Sequence, residues 1–300
     1  MIALVAQLAA PPTGGRPPEC AASEGPRGAN VWERAKSPAL RRYCDLLASG
    51  ASKLASGGAM AADVLTIADE ADRALPGRAA PSVLRGRAAA RLGRWADAYA
   101  AMRTARARDE RATDDPAALF AWARIALRTA HTDEAREAYR AVLPRASALP
   151  AVDRGAAYVE AGLLAMARGP AGLEEAIAVF REGRRDAQDA AQVICALGLA
   201  LALDRAGEHD EARAVASERV HTDPRAMITD ARGQKLVAPV FEAETDALAA
   251  MGLEAVDPAL AREAWRRYAE SGAAWTDHAR AREAALSGRR AAAVDGGRPR

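Results

Sequence analysis

Apolar residues recur at helical spacing along most of the chain, and short breaks divide them into pairs of helices. The clearest pair covers residues 196–226. Its first half carries an apolar stripe from Leu197 onward and ends at Gly207, a residue type that readily takes the left-handed conformation closing a helix. Its second half starts with acidic residues, continues as an apolar stripe and stops at Asp223 and Pro224. The pattern predicts an antiparallel helical hairpin.

The same pattern occurs three more times upstream of this hairpin. The positions predicted to break the four hairpins are separated by 37, 39 and 38 residues (130 − 93, 169 − 130, 207 − 169): Gly93, Ala130, Gly169 and Gly207. The third copy carries two extra residues near Pro170. After each break comes a small residue where the two helices should approach closely, namely Ala98, Ala135, Ala176 and Ala212. We expect four hairpins in one register.

The fourth copy resembles the tetratricopeptide repeat through Ala200, Gly207, Ala212 and the closing Asp223 and Pro224. The intervals exceed the roughly 34 residues of that repeat, which implies longer helices or longer connections. Arg85 departs from the family because a large apolar residue is usual there. The chain is similar to bacterial members of this family. The resemblance implies an all-α fold, a right-handed superhelix of antiparallel hairpins, with a concave face lined by the first helix of each hairpin.

Less regular segments flank the four copies. Residues 1–36 begin with an apolar run of ten residues that includes one polar residue, Gln7, and continue as a Pro-, Gly- and Ser-rich stretch, which predicts an unstructured lead-in. A truncated signal segment is one interpretation of the apolar run, which is too short to span a bilayer. Ser37 and Pro38 indicate the start of a degenerate first hairpin. We expect the helical array to cover residues 37–287 and a basic, unstructured tail to cover residues 288–300.

Three further helices are predicted after the fourth copy. The pattern of residues 227–237 does not predict a secondary structure. The first predicted helix covers Val240 to Met251 and the second starts at Asp257. The third lies around Trp275 and closes the array. Aromatic residues make up only 4% of the chain, and alanine is abundant, which favours an all-α class. The net charge of +2, from 42 basic and 40 acidic residues, is too balanced to require nucleic acid or an anionic membrane as partner.

Candidate chemistry is sparse. The sequence contains none of the usual metal, nucleophile or phosphate-loop motifs, so we predict no catalytic residue, no cofactor and no metal. His131 and His209 lie in the acidic starts of second helices, and we interpret those segments as capped helix starts rather than as metal ligands. Cys44 and Cys195 fall where small core residues are expected. A disulfide between Cys20 and Cys44 in an oxidising compartment is the alternative.

These observations favour a non-enzymatic scaffold that binds a protein or peptide. The family's groove positions, laid onto this chain, give a candidate set of Arg87, Arg91, Phe120, Arg124, Arg128, Met166, Leu201 and Arg205. The first two arginines are four residues apart and share a helix face, as do Arg124 and Arg128. An apolar floor of Val159, Leu163, Met166 and Leu201 should adjoin them.

Such a surface suits an acidic segment, or a C-terminal carboxylate, followed by apolar side chains. The family's carboxylate-clamp members use Asn and Lys at several of these positions, and this chain does not. The competing interpretation is a solvated arginine face whose stems cover neighbouring alanines. Two other functions stay open: a helical module of a cell-envelope enzyme complex, and a regulatory subunit whose output domain is on another chain. The apolar start favours the cell envelope, and the cytoplasm is the alternative location.

Overall fold

The computed structural model describes residues 17–21, 37–56, 58–218 and 241–295 of the chain. These residues are almost entirely helical, and the described ranges contain no strand, which confirms the predicted all-α class. The chain divides into two compact units, Met1–Leu149 and Pro150–Arg300. The division falls between the second and third predicted copies.

Helices of both units pair in chain order. Unit 1 contains α1 (Pro38–Ala55), α2 (Ala61–Ala74), α3 (Ala80–Arg91), α4 (Trp95–Arg108), α5 (Pro116–Arg128) and α6 (Thr132–Val142). Unit 2 contains α7 (Ala151–Met166), α8 (Leu173–Asp186), α9 (Asp189–Arg205), α10 (His209–Ser217), α11 (Glu242–Leu253), α12 (Pro258–Glu270) and α13 (Thr276–Asp295). The four predicted copies are the hairpins α3–α4, α5–α6, α7–α8 and α9–α10, and α1–α2 is the degenerate pair before them.

The turns inside the hairpins share one backbone conformation. All four predicted break positions have a positive φ: 74° at Gly93, 62° at Ala130, 71° at Gly169 and 85° at Gly207. In three hairpins the next amide donates to a carbonyl five residues earlier: Arg94 to Ala89 (2.9 Å), His131 to Ala126 (2.8 Å) and Glu208 to Leu203 (2.9 Å). This bond closes the Schellman motif. The extra residues of the third copy form a 3-10 turn, Gly169–Gly172.

Exchanging glycine and alanine at these turns is expected to have opposite effects at two sites. A Cβ added at Gly207 meets no atom within 4 Å. Gly207→Ala is therefore expected to lower the free energy of unfolding by about 1 kcal/mol, the strain of holding an alanine in the left-handed conformation. Ala130→Gly removes the same strain and is expected to leave stability unchanged or raise it by up to about 1 kcal/mol. Urea denaturation of both variants measures the difference. Equal losses of unfolding free energy in Gly207→Ala and Ala130→Gly would contradict the same turn conformation at the two positions.

Small residues bring the helices of each hairpin together. The predicted contact alanines are buried: Ala98, Ala135 and Ala176 are inaccessible and Ala212 is 2% exposed. The α3–α4 backbones approach so closely that a Cβ on Gly86 would lie 3.2 Å from the carbonyl oxygen of Ala98. The predicted burial of one small residue per hairpin is therefore confirmed.

Enlarging these alanines is expected to destabilise each hairpin. Ala98→Leu, Ala135→Leu, Ala176→Leu and Ala212→Leu each force extra methylenes into a filled contact, at a cost of about 1–3 kcal/mol. The matched control is Ala100→Leu, because Ala100 lies on the exposed side of α4. Thermal melts of the five variants measure the effect. If the four variants at buried positions melt at the same temperature as the control, the predicted register of the four hairpins is wrong.

The N-terminal end of unit 1 is covered by a short helical turn, Pro18–Ala21. A disulfide joins Cys20 to Cys44 on α1, so the structure contains the alternative cysteine arrangement. The hydroxyl of Tyr43, a fully buried side chain, donates to Glu19 Oε1 at 2.8 Å. The lead-in was expected to lack regular structure, and residues 17–21 differ because these contacts hold them against α1.

The C-terminal boundaries also differ from the prediction. Helix α13 runs to Asp295, eight residues past the expected end at 287 (295 − 287), because the alanines after Gly288 favour helix enough to outweigh one glycine. Helix α11 covers Glu242–Leu253 rather than 240–251. The closing Asp223 and Pro224, the unassigned residues 227–237, the rest of the lead-in and residues 296–300 lie outside the described residues.

Candidate partner-binding surface

Four arginines of unit 1 lie on two helices that contact each other, α3 and α5. Arg87 and Arg91 are on α3, and Arg124 and Arg128 are on α5; we call these four residues the arginine face. Arg91 is exposed, and the other three are partly exposed. Because α3 and α5 contact each other, the two arginine pairs lie on adjacent helices; that the four side chains share one binding surface stays a prediction.

Aromatic rings position two of these guanidinium groups. The Arg128 guanidinium carbon lies 5.1 Å from the ring centroid of Trp95, the first residue of α4. That of Arg124 lies 5.5 Å from the ring of Phe120, one turn earlier on α5. The Phe120 ring is itself buried and meets Tyr139 edge-on at 6.5 Å. Two of the four guanidinium groups thus lie within cation–π distance of an aromatic ring, and this contact restrains them.

The predicted apolar floor lies in unit 2, where the structure buries it. Val159, Leu163, Met166 and Leu201 are completely inaccessible. The indole nitrogen of Trp275 donates to the carbonyl oxygen of Met166 at 3.0 Å, and Ala274 lies against Gly169. Met166 and Leu201 therefore belong to the core of unit 2 rather than to an open floor.

Arg205 is buried as well, although it was predicted to face a groove. Its Nη1 donates to Glu244 Oε2 at 2.7 Å, and the Arg205 and Glu244 side chains are 0% and 4% exposed. Tyr268 donates its hydroxyl to the other oxygen of Glu244 at 2.9 Å. The rings of Tyr268 and Trp275 lie 5.3 and 5.0 Å from the guanidinium. Helices α11 and α12 and the start of α13 thus cover the end of α9.

A second polar cluster surrounds Asp204, the residue before Arg205. His209 Nδ1 and His278 Nε2 each lie 2.8 Å from a different oxygen of this carboxylate, and Arg282 Nη1 lies 3.5 Å away. Burial alone would raise the pKa of Asp204, but hydrogen bonds from His278 and His209 and the charge of Arg282 lower it below its ordinary value. The cluster joins α9, α10 and α13 by charge-assisted bonds.

The described residues hold no group of three His, Cys, Asp or Glu side chains arranged for a metal ion. Burial raises the pKa of the Cys195 thiol, which makes it a poor nucleophile.

His131 and Glu208 precede the second helices of their hairpins without capping them through a side chain, so the expected side-chain caps are absent at these two positions. The acidic residues lie in the first helical turns as expected.

Sequence reasoning predicted C-terminal helices that close the array, but it missed that they cover α9. The signal was present, because α9 is apolar on nearly every side between Ile194 and Leu203 and all of these residues are buried. A helix that is apolar all round is covered on both faces. Helix α5, in contrast, keeps Arg124 and Arg128 on one face. Helix α9 nevertheless ends in Arg205, which is buried, so an arginine by itself does not mark an accessible helix.

No family model matches this chain, and no curated protein matches it either. Within the described ranges, no helix combines the length and the apolar character needed to cross a lipid bilayer.

Proposed function

We propose that this protein is a non-enzymatic scaffold that binds an acidic segment of another protein through the arginine face of unit 1. The observation that carries the proposal is the juxtaposition of two i, i+4 arginine pairs on the contacting helices α3 and α5. Guanidinium groups bind carboxylates bidentately. Stacking on Trp95 and Phe120 supports the proposal, because groups already held in place lose less conformational entropy on binding.

We also propose that the hairpins form a right-handed superhelix of the tetratricopeptide type. The regular interval between the turns, their shared left-handed residue and one buried alanine per hairpin support this assignment. A repeat array of this kind presents its first helices on one surface. Helices α3 and α5 are the first helices of neighbouring hairpins, and they carry the arginine face.

A defined acidic probe tests the binding function. The probe is a fluorescein-labelled flexible peptide that contains glutamates followed by leucines and a free C-terminal carboxylate, and fluorescence anisotropy measures its affinity for the full chain. Arg87→Glu combined with Arg124→Glu is expected to weaken binding on the order of tenfold or more at low salt. Moderate salt should weaken binding to the parent as well.

The matched control combines Arg41→Glu with Arg73→Glu, two exposed arginines on α1 and α2. Both double variants change the net charge by the same amount, from +2 to −2 (2 − 4). Circular dichroism establishes that each variant is folded. Undiminished binding by the folded Arg87/Arg124 variant, or equal weakening by the control, would refute the proposed site.

A further inference from the structure

The turn Pro18–Ala21 is fastened to α1 through two adjacent residues. Cys20 forms the disulfide with Cys44, and Glu19 accepts a hydrogen bond from the hydroxyl of Tyr43 at 2.8 Å. Tyr43 has no accessible surface and belongs to an apolar cluster to which α1, α2 and α3 all contribute. The disulfide therefore keeps the carboxylate of Glu19 beside a hydroxyl that is buried in this cluster.

Charged groups of neighbouring elements also act on the hydroxyl of Tyr43. Burial raises the pKa of Tyr43, and the hydrogen bond and charge of Glu19 raise it further. The charge of Arg78, in the loop between α2 and α3, lowers this pKa, and that of Asp72 on α2 raises it. Glu19, Asp72 and Arg78 therefore lie close enough to act on the same buried hydroxyl, and Glu19 is the member of this group that belongs to the turn.

Arg108, the last residue of α4, connects the same charges to the next hairpin. Its Nη1 lies 3.1 Å from Asp72 Oδ1 and donates to the carbonyl oxygen of Arg78 at 2.9 Å. The hydroxyl of Ser82, which is buried in α3, lies 3.3 Å from the same nitrogen. We call Asp72, Arg78, Ser82 and Arg108 the joint, because their contacts hold hairpin α1–α2 against hairpin α3–α4. Asp72 thus takes part in the joint and also acts on Tyr43.

We infer that the disulfide is a redox switch, and that its reduction releases the turn Pro18–Ala21 and loosens the joint. Release separates Glu19 from Tyr43, and the buried hydroxyl loses its acceptor, which is unfavourable. The negative charge of Glu19 leaves the neighbourhood of Arg78 at the same time. Both changes disturb the charges that hold the two hairpins together. This inference does not depend on the arginine face or on the proposed binding function.

The reaction is thiol–disulfide exchange with a dithiol reductant. Cys44 is partly exposed, whereas Cys20 is only 6% exposed, so a thiolate of the reductant attacks Sγ of Cys44. The disulfide breaks, and Sγ of Cys20 leaves as a thiolate and takes up a proton. The second sulfur of the reductant then attacks the first one in the mixed disulfide, and Cys44 leaves as a thiolate and is protonated. Two electrons and two protons pass from the dithiol to the cysteines, and the reductant ends as an intramolecular disulfide.

Reduction of the folded full chain tests the switch. The oxidised protein is treated with dithiothreitol without denaturant, and alkylation followed by mass spectrometry reports on the cysteines. Cys20 and Cys44 should become labelled while the buried Cys195 stays unlabelled, and circular dichroism should show that the helices persist. Oxidation with diamide should restore the disulfide. A disulfide that dithiothreitol reduces only after the protein is unfolded overturns the inference, because such a bond is purely structural.

Hydrogen exchange measured by mass spectrometry shows whether release of the turn reaches the joint. Reduction is expected to raise exchange rates on the order of tenfold in the loop between α2 and α3, at the start of α3 and at the end of α4, and to leave α5 and α6 nearly unchanged. Cys20→Ser combined with Cys44→Ser should exchange like the reduced parent, with and without reductant. A rise confined to the turn and α1, or an equal rise in α5 and α6, overturns the inference.

Two arginine variants separate coupling through the joint from loss of the turn alone. Arg108→Met removes the guanidinium of the joint, so exchange there is already fast and reduction should raise it by less than about twofold. Arg103→Met is the matched control, because Arg103 lies on the same helix but pairs with Glu134 of α6. Reduction should act on this control as it acts on the parent. An equal effect of reduction on α3 in the two variants overturns the inference.

Discussion

Replacing Glu244 by glutamine is expected to lower the free energy of unfolding of unit 2 by about 3–5 kcal/mol. Glutamine keeps the shape of the side chain but removes the charge that compensates Arg205, whose own side chain is fully buried. The amide would also direct an N–H group towards one of two existing donors, Arg205 Nη1 and Tyr268 Oη. An uncompensated buried charge and a donor facing a donor both destabilise the folded state.

The paired substitution distinguishes charge compensation from packing. Arg205→Met together with Glu244→Leu removes both charges and is expected to recover most of the loss, since apolar pairs of similar volume replace buried ion pairs at little cost. The matched control is Arg213→Met, because Arg213 and its partner Asp210 are 75% and 96% exposed. That exposed pair should contribute less than about 1 kcal/mol.

Hydrogen exchange measured by mass spectrometry resolves the effect within unit 2. Protection of α9, α11 and α12 should fall in the Glu244→Gln variant and return in the double variant. A Glu244→Gln loss close to that of Arg213→Met would mean that Arg205 does not depend on this carboxylate.

The hairpins could be predicted from the sequence because the signals that specify them are local. Gly93, Gly169 and Gly207 supply the left-handed turn residues, and a small residue follows within seven positions in each case. Ala130 was placed by the pattern of the second copy around it although it is not a glycine, and it takes the same conformation with a φ of 62°. Ala98 and Ala135 are buried, as expected for positions where the two helices of one hairpin meet. These features need no knowledge of distant contacts.

Whether a predicted site residue is buried or accessible depends on contacts with residues that are distant in the sequence. Arg205 and Glu244 are 39 residues apart, and Asp204 and His278 are 74 apart. Helical periodicity does not reveal that α11 and α12 cover the end of α9, where Arg205 lies. The arginine face stays a prediction, drawn from the i, i+4 spacing of arginines on the first helices of two successive hairpins. Trp95, over which the Arg128 guanidinium lies, is the first residue of α4 in the preceding hairpin, and the groove pattern alone does not include it.

Reduction of the disulfide between Cys20 and Cys44 is expected to destabilise unit 1 by about 3 kcal/mol, the magnitude of loop closure for a separation of 24 residues. Without this bond the turn Pro18–Ala21 is held chiefly by the hydrogen bond between Tyr43 and Glu19. Departure of the turn exposes a core cluster that includes Tyr43, Leu47 and Val64. The expected result is a lower melting temperature of unit 1 in a thiol reductant such as dithiothreitol.

The variant Cys20→Ser combined with Cys44→Ser provides the control, because it should melt like the reduced parent and be insensitive to the reductant. Cys195 is free and buried, so alkylation of the native parent should label no cysteine, whereas alkylation after unfolding should label Cys195 alone. Disulfides persist in oxidising compartments, so this labelling pattern in protein isolated from its native cells is expected for export to the cell envelope. Labelling of Cys20 and Cys44 in protein alkylated inside those cells would instead indicate the cytoplasm. A reductant that leaves the melting temperature of the oxidised parent unchanged would show that the bond does not stabilise the N-terminal end of unit 1.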